Sequence, residues 1–125
     1  MQERKNLSKI SKEDLGRIYT FDCVIQEIQT TSGPILYILN DGSAQIKGVF
    51  FYNKNNNSIN EKFQRLKKGI AIKARLKISE NHDNLEAIFE DFETLDIDRE
   101  KQVKQRIKSN INRESSIDKT DFIIR

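Results

Sequence analysis

Two hydrophobic periods run along this chain, and the point where one gives way to the other divides it. From Ile18 to Gln29, Phe21, Cys23 and Ile25 alternate with Asp22, Val24 and Gln26, the period-two pattern of a long first strand. Thr30-Thr31-Ser32-Gly33-Pro34 is turn chemistry. Ile35 to Asn40 is an almost continuous apolar run and predicts a second strand, closed by a hairpin turn at Asp41-Gly42-Ser43. Ala44 to Phe51 predicts a third strand, with Ile46, Gly48 and Phe50 on one side and Gln45, Lys47, Val49 and Phe51 on the other. Ile70 to Ile78 alternates most cleanly: Ile70, Ile72, Ala74, Leu76 and Ile78 face in, while Lys73, Arg75 and Lys77 face out. After a turn over Glu80 to Asn84, a fifth strand falls within Leu85 to Leu95.

Helical spacing interrupts this pattern twice. Past a polar loop at Asn53 to Asn57, Ile59, Phe63 and Leu66 define a short helix. A capping box at Ser58 and Glu61 opens it, and Gly69 after Lys67-Lys68 stops it. From Asp98 onward Val103, Ile107 and Ile111 lie four apart with Lys and Arg between them, an amphipathic C-terminal helix. Met1 to Asp14 is polar and reads as a tail with one capped turn at Ser11 to Asp14, broken by Gly16. Glu114 to Asp121 reads as loose, and the chain finishes on apolar Phe122-Ile123-Ile124. The expected division is a tail over 1–15, a domain over 16–96, and a C-terminal helix and tail over 97–125.

Three strands, a short helix, then two strands is the order of an OB-fold, a small five-stranded β-barrel with a long first strand that serves both sheets. The expectation is a mainly β, five-stranded OB-fold barrel with a short helix between strands three and four. A β-sandwich needs about seven strands, more than this pattern supplies. Composition agrees with a small domain: 36% of residues are hydrophobic and 33% charged across 125 residues, enough for one compact core. Cys23 and His82 are the sole cysteine and histidine, so no internal disulfide and no Cys/His zinc site can form. Cys23 falls on the inward side, as a structural thiol does. The acidic run Glu90, Asp91, Glu93, Asp96 and Asp98 lacks the glycine-centred spacing of a calcium loop. No cofactor is implied, and no set of acid, base and nucleophile suggests an enzyme. No apolar stretch reaches the ~20 residues of a membrane span, and the charged N-terminus has no apolar signal core. A soluble, cytoplasmic protein without a membrane partner is expected.

Charge changes this picture. Net charge is only +3, yet Lys47 to Lys77 holds nine basic residues and one acidic, and Glu80 to Asp98 holds eight acidic residues and no Lys or Arg. Polyanion binding follows local rather than net charge. The basic block overlaps two strands and carries Phe50, Phe51 and Tyr52. Cations for phosphates beside flat rings for bases suit a single-stranded nucleic acid, DNA or RNA.

The segment Gly16 to Phe51 resembles the nucleic-acid-binding OB domains of the anticodon-binding type. It is most similar to the OB domain associated with archaeal DHH-family, RecJ-like phosphoesterases. The resemblance rests on the turn from Gln29 into Gly33-Pro34, the apolar strand Ile35 to Leu39, the turn at Asp41-Gly42 and the aromatic end Phe50-Phe51. "LKKGIAIKARLKI" and "LEAIFEDFETL" match that domain's closing strands, and Lys101 to Ile111 resembles the helix that follows it. Gly42-Ser43-Ala44 departs from the Thr-Gly type of pair usual after the turn Asp. The catalytic Asp-His-His signature is absent. The resemblance therefore implies a binding module of, or a partner to, such a nuclease, with a nuclease domain or other protein engaged through the C-terminal helix. A protein-interaction module is the alternative.

By that resemblance the base-stacking position five before Asp41 falls on Leu36, with Tyr37 the nearest ring. Tyr37 either stacks a base or fills the barrel with its hydroxyl at the rim. Lys47, the polar position of the third strand, contacts a phosphate or base edge, or else only covers its neighbours with its stem. Phe51 and Tyr52 cannot both point inward; an exposed one beside Lys47 and Lys54 forms a stacking platform, or else it packs beneath the asparagine loop. Lys73 and Arg75 either contact phosphate or are neutralised across the sheet by Glu86 and Glu90.

Overall fold

The computed structural model describes residues 3–109. Ile111 and the apolar end Phe122 to Ile124 lie outside them. The strands are β1 (Glu3–Arg4), β2 (Ile18–Thr30), β3 (Ile35–Asn40), β4 (Gln45–Phe50), β5 (Ala71–Asn81) and β6 (Asn84–Thr94). Helix α1 (Asn57–Gln64) lies between β4 and β5, and α2 spans 97–109.

β2 is long because it serves two partners. Its first half pairs antiparallel with β5, Ile18 opposite Lys77 through Val24 opposite Ala71. Its second half pairs with β3. The register steps from Ile25 opposite Leu39 to Glu27 opposite Ile38, leaving Gln26 as a bulge. This one residue inverts the strand's phase. Before it Tyr19, Phe21, Cys23 and Ile25 are buried; after it Ile28 packs toward the core and Glu27 and Gln29 are exposed. Strict alternation would have turned Glu27 inward. β3 pairs with β4, β4 runs parallel to β6 at Gly48 and Val49, and β6 pairs with β5, so five strands close into a barrel.

α1 plugs one end. Its Phe63 ring stacks on Phe50 at 3.9 Å and meets Phe89 and Phe92 edge-on at 4.9 and 5.0 Å. The helix begins earlier than the expected Ser58 cap: Asn56 is the N-cap, its side-chain oxygen accepting from the Ile59 N–H at 3.1 Å.

The expected tail over 1–15 is instead built into the barrel. Glu3 and Arg4 add a parallel strand beside Tyr19 and Thr20. Leu7 is part of the core, and its N–H donates to Asp41 Oδ2 at 2.9 Å. Asp14 is buried, and its carboxylate accepts from the Tyr19 hydroxyl at 2.5 Å, the Ser11 N–H at 2.9 Å and the Lys5 ammonium at 3.0 Å. The Tyr19 hydroxyl, then the Ser11 N–H and the Lys5 ammonium, hold the Asp14 carboxyl down at about 2. The polar run conceals this because, among its described residues, only Leu7 and the partly buried Ile10 are apolar contributions to the core.

α2 lies on the outer face of the barrel. Val103 and Ile107 pack on Val24 and Ala71, with Leu95 alongside, and Arg99 pairs with Asp22 at 3.2 Å. The β3–β4 turn meets this helix closely. Gly42 has φ +93°, and a Cβ there would stand 2.7 Å from Arg106 Cβ.

Gly42→Ala should therefore both strain the turn and push on the helix, lowering stability by about 1–3 kcal/mol in urea denaturation. A stability equal to the parent's would mean that α2 does not sit on the turn. The Asp14 carboxyl is depressed in the folded state relative to its ordinary value of about 4, so the unfolded chain binds the extra proton. Its stabilisation is then complete above about pH 4 and is lost as pH falls toward about 2. Denaturation curves across that window should show Asp14→Asn with a flatter pH dependence than the parent.

Candidate nucleic-acid interface

Strand alternation decides what the barrel shows to solvent. β3 turns Leu36, Ile38 and Asn40 outward, all half-buried. β4 sets Val49, Lys47 and Gln45 opposite them in register. Beyond β4, Val49 pairs with Ile88 of β6; beyond β3, Gln29 and Glu27 of β2 flank Leu36 and Ile38. The result is a wall whose apolar part, Leu36, Ile38 and Ile88, is half-buried and whose Val49 is buried, edged by Asn40, Gln45, Gln29 and Glu27, with one exposed cation, Lys47, near its middle.

The wall ends in two rings. Phe50 is buried against Phe63, so the next residue along the strand must point the other way. Phe51 is 55% exposed and Tyr52 47% exposed. Tyr52 rests edge-on against Phe50 at 5.8 Å, and Gln64 Nε2 donates to its hydroxyl at 3.4 Å. The loop behind them is held to α1. The Asn53 N–H donates to Asn60 Oδ1 at 2.8 Å, Asn60 Nδ2 returns a bond to the Asn53 carbonyl at 2.8 Å, and Asn53 Oδ1 accepts from the Asn55 N–H at 2.9 Å. The asparagines thus brace the loop rather than cover the rings. Lys54 is exposed in the same loop.

The candidate residues accordingly separate into groups. Leu36, Lys47 and Phe51 share the outer wall, and Tyr52 and Lys54 adjoin it. Tyr37 does not belong there: it is 1% exposed, its ring meets Phe89 edge-on at 5.3 Å, and its hydroxyl donates to the Phe63 carbonyl at 3.1 Å. Burial pushes that hydroxyl's pKa up. Tyr37 pins the plug helix and offers no face to a base. Lys73 and Arg75 lie on the expected strand, β5, but β6 separates it from β4 and so from the wall. They stand in register with Glu93 and Asp91, not with the expected Glu86 and Glu90. Glu86 lies opposite Ser79, and Glu90 falls in a register shift between Asp91 and Phe89.

The basic block is further thinned by Lys62. Its ammonium donates to Asp91 Oδ1 at 2.9 Å and to the Phe92 carbonyl at 2.5 Å, and lies 4.6 Å from the centre of the Phe92 ring. Burial lifts the Asp91 carboxyl, but Lys62, the Phe92 N–H and Arg75 outweigh it and the net shift is downward. Sequence reasoning missed Ile38 and Ile88, and the register supplies the reason: Ile38 is the cross-strand partner of Lys47, and Ile88 that of Val49.

A separate cleft of about 920 Å³ lies between α2, β2 and the N-terminal segment. Much of its charge is committed internally: Lys5 to Asp14, Arg99 to Asp22, and Asp41 to Leu7, Ser43 and Ala44. The Cys23 thiol is fully buried, and burial raises its pKa, which removes it as a nucleophile. No described helix is long and apolar enough to cross a membrane.

No protein-family model matches the sequence, and no curated relative matches it. Solved structures do. The chain is similar to one in the Stn1–Ten1 complex of Schizosaccharomyces pombe, with TM-score 0.60, 20% identity, and coverage of 83% of this chain and 77% of that one. It is similar to Pot1pC of the same organism, solved bound to ssDNA, with TM-score 0.68, 11% identity, and coverage of 86% and 98%. It is also similar to part of asparaginyl-tRNA synthetase from Pyrococcus horikoshii, with TM-score 0.63, 15% identity, and coverage of 76% of this chain but 23% of the synthetase. At these identities the likeness establishes architecture. Closed barrel, plug helix and outer helix are those of an OB-fold domain.

The burial contrast between the rings can be measured. Phe51→Ser should leave thermal stability within about 0.5 kcal/mol of the parent. Tyr37→Phe should cost about 0.5–1.5 kcal/mol through the lost hydrogen bond. The reverse ranking would place the rings wrongly.

Proposed function

We propose that this chain is a non-catalytic OB module that binds single-stranded nucleic acid, with DNA the favoured ligand. One observation carries the reading. Two adjacent aromatic rings, Phe51 and Tyr52, stand about half exposed at the end of the β3–β4 wall, with Lys54 in the braced loop that follows and Lys47 four residues back along the strand. Exposed rings lose apolar burial in the free protein, and bases stacked on them restore it. Holding the loop before the ligand arrives lowers the ordering cost of binding. The similarity to Pot1pC, a structure determined with ssDNA, supports the same reading.

The resemblance to the OB domain associated with DHH-family, RecJ-like phosphoesterases supports a finer proposal, that the module works in or beside such a nuclease. A protein-interaction role has less behind it. Val103 and Ile107, the stripe that would face a partner, pack on the barrel itself. The similarity to a chain of the Stn1–Ten1 assembly is what favours a protein partner in addition to the nucleic acid.

Titration of a fluorescent oligo-dT by anisotropy at low salt should give saturable binding, with duplex DNA of equal length much weaker. Phe51→Ala with Tyr52→Ala should weaken the oligo complex by about 1–3 kcal/mol for each stacked base, roughly fivefold or more per base. An unchanged affinity in the double variant would remove the rings from the interface. Incubation of the same oligo with the protein and Mg²⁺ should leave it intact.

A further inference from the structure

We infer, granting the nucleic-acid reading above, that the site recognises a short unpaired segment chiefly by stacking on its bases and neutralises few phosphates. The basic block suggests the opposite, a polycationic groove, and the fold takes that groove apart. Lys73 and Arg75 lie on β5, beyond β6 and opposite Glu93 and Asp91. Lys62 is held by Asp91 and by the Phe92 carbonyl and ring. Across β3, β4 and the ring-bearing loop, the basic residues are Lys47 and Lys54 alone.

Around Lys54 stand the loop asparagines, and around Lys47 the neighbours are apolar, amide or acidic. Leu36, Ile38, Val49 and Ile88 pave the wall between Lys47 and the rings or beside it. Glu27 on β2 and Glu86 on β6 border it on either side, the first exposed and the second half-buried. A strand crossing the wall from β2 to β6 would bring its phosphates toward these carboxylates, so across the sheet the favourable contact is confined to the wall; along the strands the wall ends at the β3–β4 turn, on which Arg106 of α2 packs. The ligand class is therefore a few unpaired nucleotides, at a strand end or in a gap, rather than a long strand tracked along its backbone. The footprint belongs at the lower end of the OB range, about four nucleotides.

Salt dependence separates the alternatives. For single strands log affinity falls with log salt by about 0.7 per neutralised phosphate. Two contacts predict about sevenfold weaker binding of labelled dT12 between about 50 and 200 mM salt; four contacts predict about 50-fold. The full chain should show the smaller change. Lys73→Gln with Arg75→Gln should leave the dissociation constant within about twofold, and Lys47→Gln with Lys54→Gln should remove most of the salt slope. The oligo dT4 should bind nearly as well as dT12 after correction for the number of registers. Saturable binding with the steeper slope, weakened by the Lys73 and Arg75 substitutions or climbing more than tenfold from dT4 to dT12, overturns this inference and leaves the proposed function standing. No saturable binding at the lower salt overturns both.

Discussion

Phe63 stacks on Phe50 with ring centroids 3.9 Å apart, and this contact decides which aromatic residues the barrel keeps and which it shows. It closes the open end of the barrel with α1 and draws Phe89 and Phe92 around the same ring. Tyr37 completes the arrangement by donating its hydroxyl to the Phe63 carbonyl. With Phe50 committed inward, the two-residue period of β4 leaves Phe51 no inward place. Tyr52 follows at the edge of the same cluster, half covered by Phe50 and α1 and half open. The exposed rings are thus a consequence of core packing. Their exposure is stable because it is bound to the burial of five other aromatics.

Closing the barrel also redistributes charge. Residues that are neighbours in a linear block go to different strands, and their electrostatic partners are set by register. Lys47 remains exposed on the β3–β4 wall, whereas Lys62 pairs with Asp91 of β6, and Lys73 and Arg75 stand in register with Glu93 and Asp91. Of the acidic block that follows the basic one in sequence, Asp91 and Glu93 come opposite Arg75 and Lys73 across the β5–β6 hairpin, and Asp91 pairs with Lys62. Such exposed pairs each stabilise the sheet by a modest amount, roughly 0.2–1 kcal/mol. Their larger effect here is on function, since they remove cations from any common surface. The apolar wall and its rings are left as the distinctive face of the molecule.

The strand order, the plug helix, the amphipathic stripe of the C-terminal helix and the exposure of Lys47 were legible because each rests on local periodicity; that Val103 and Ile107 pack on the barrel itself rather than facing a partner was not. What escaped depended on register. The Gln26 bulge adds one residue to one strand and leaves no compositional mark, yet it sends Glu27 outward and Ile28 inward. The N-terminal segment looked like a tail because its hold on the barrel is made by single residues, Leu7 in the core and Asp14 beneath Tyr19. Tyr37 could not be assigned from a near-continuous apolar strand, where both faces are acceptable to a ring; its partner Phe63 lies 26 positions away. The helix cap was misplaced by two residues because Asn56 and Ser58 are both good caps and the choice turns on how the asparagine loop folds back.

The central claim is that a base-binding surface exists on the β3–β4 wall and its terminal rings, and that the cations of β5 stand apart from it. Amide chemical-shift mapping of the isotopically labelled chain with dT4 tests this most directly. The account predicts saturable shifts concentrated at Leu36, Ile38, Lys47, Val49 and Phe51 through Lys54, with β5 and α2 unmoved. Shifts centred on Lys73, Arg75 and the face of α2, with the wall silent, would contradict it.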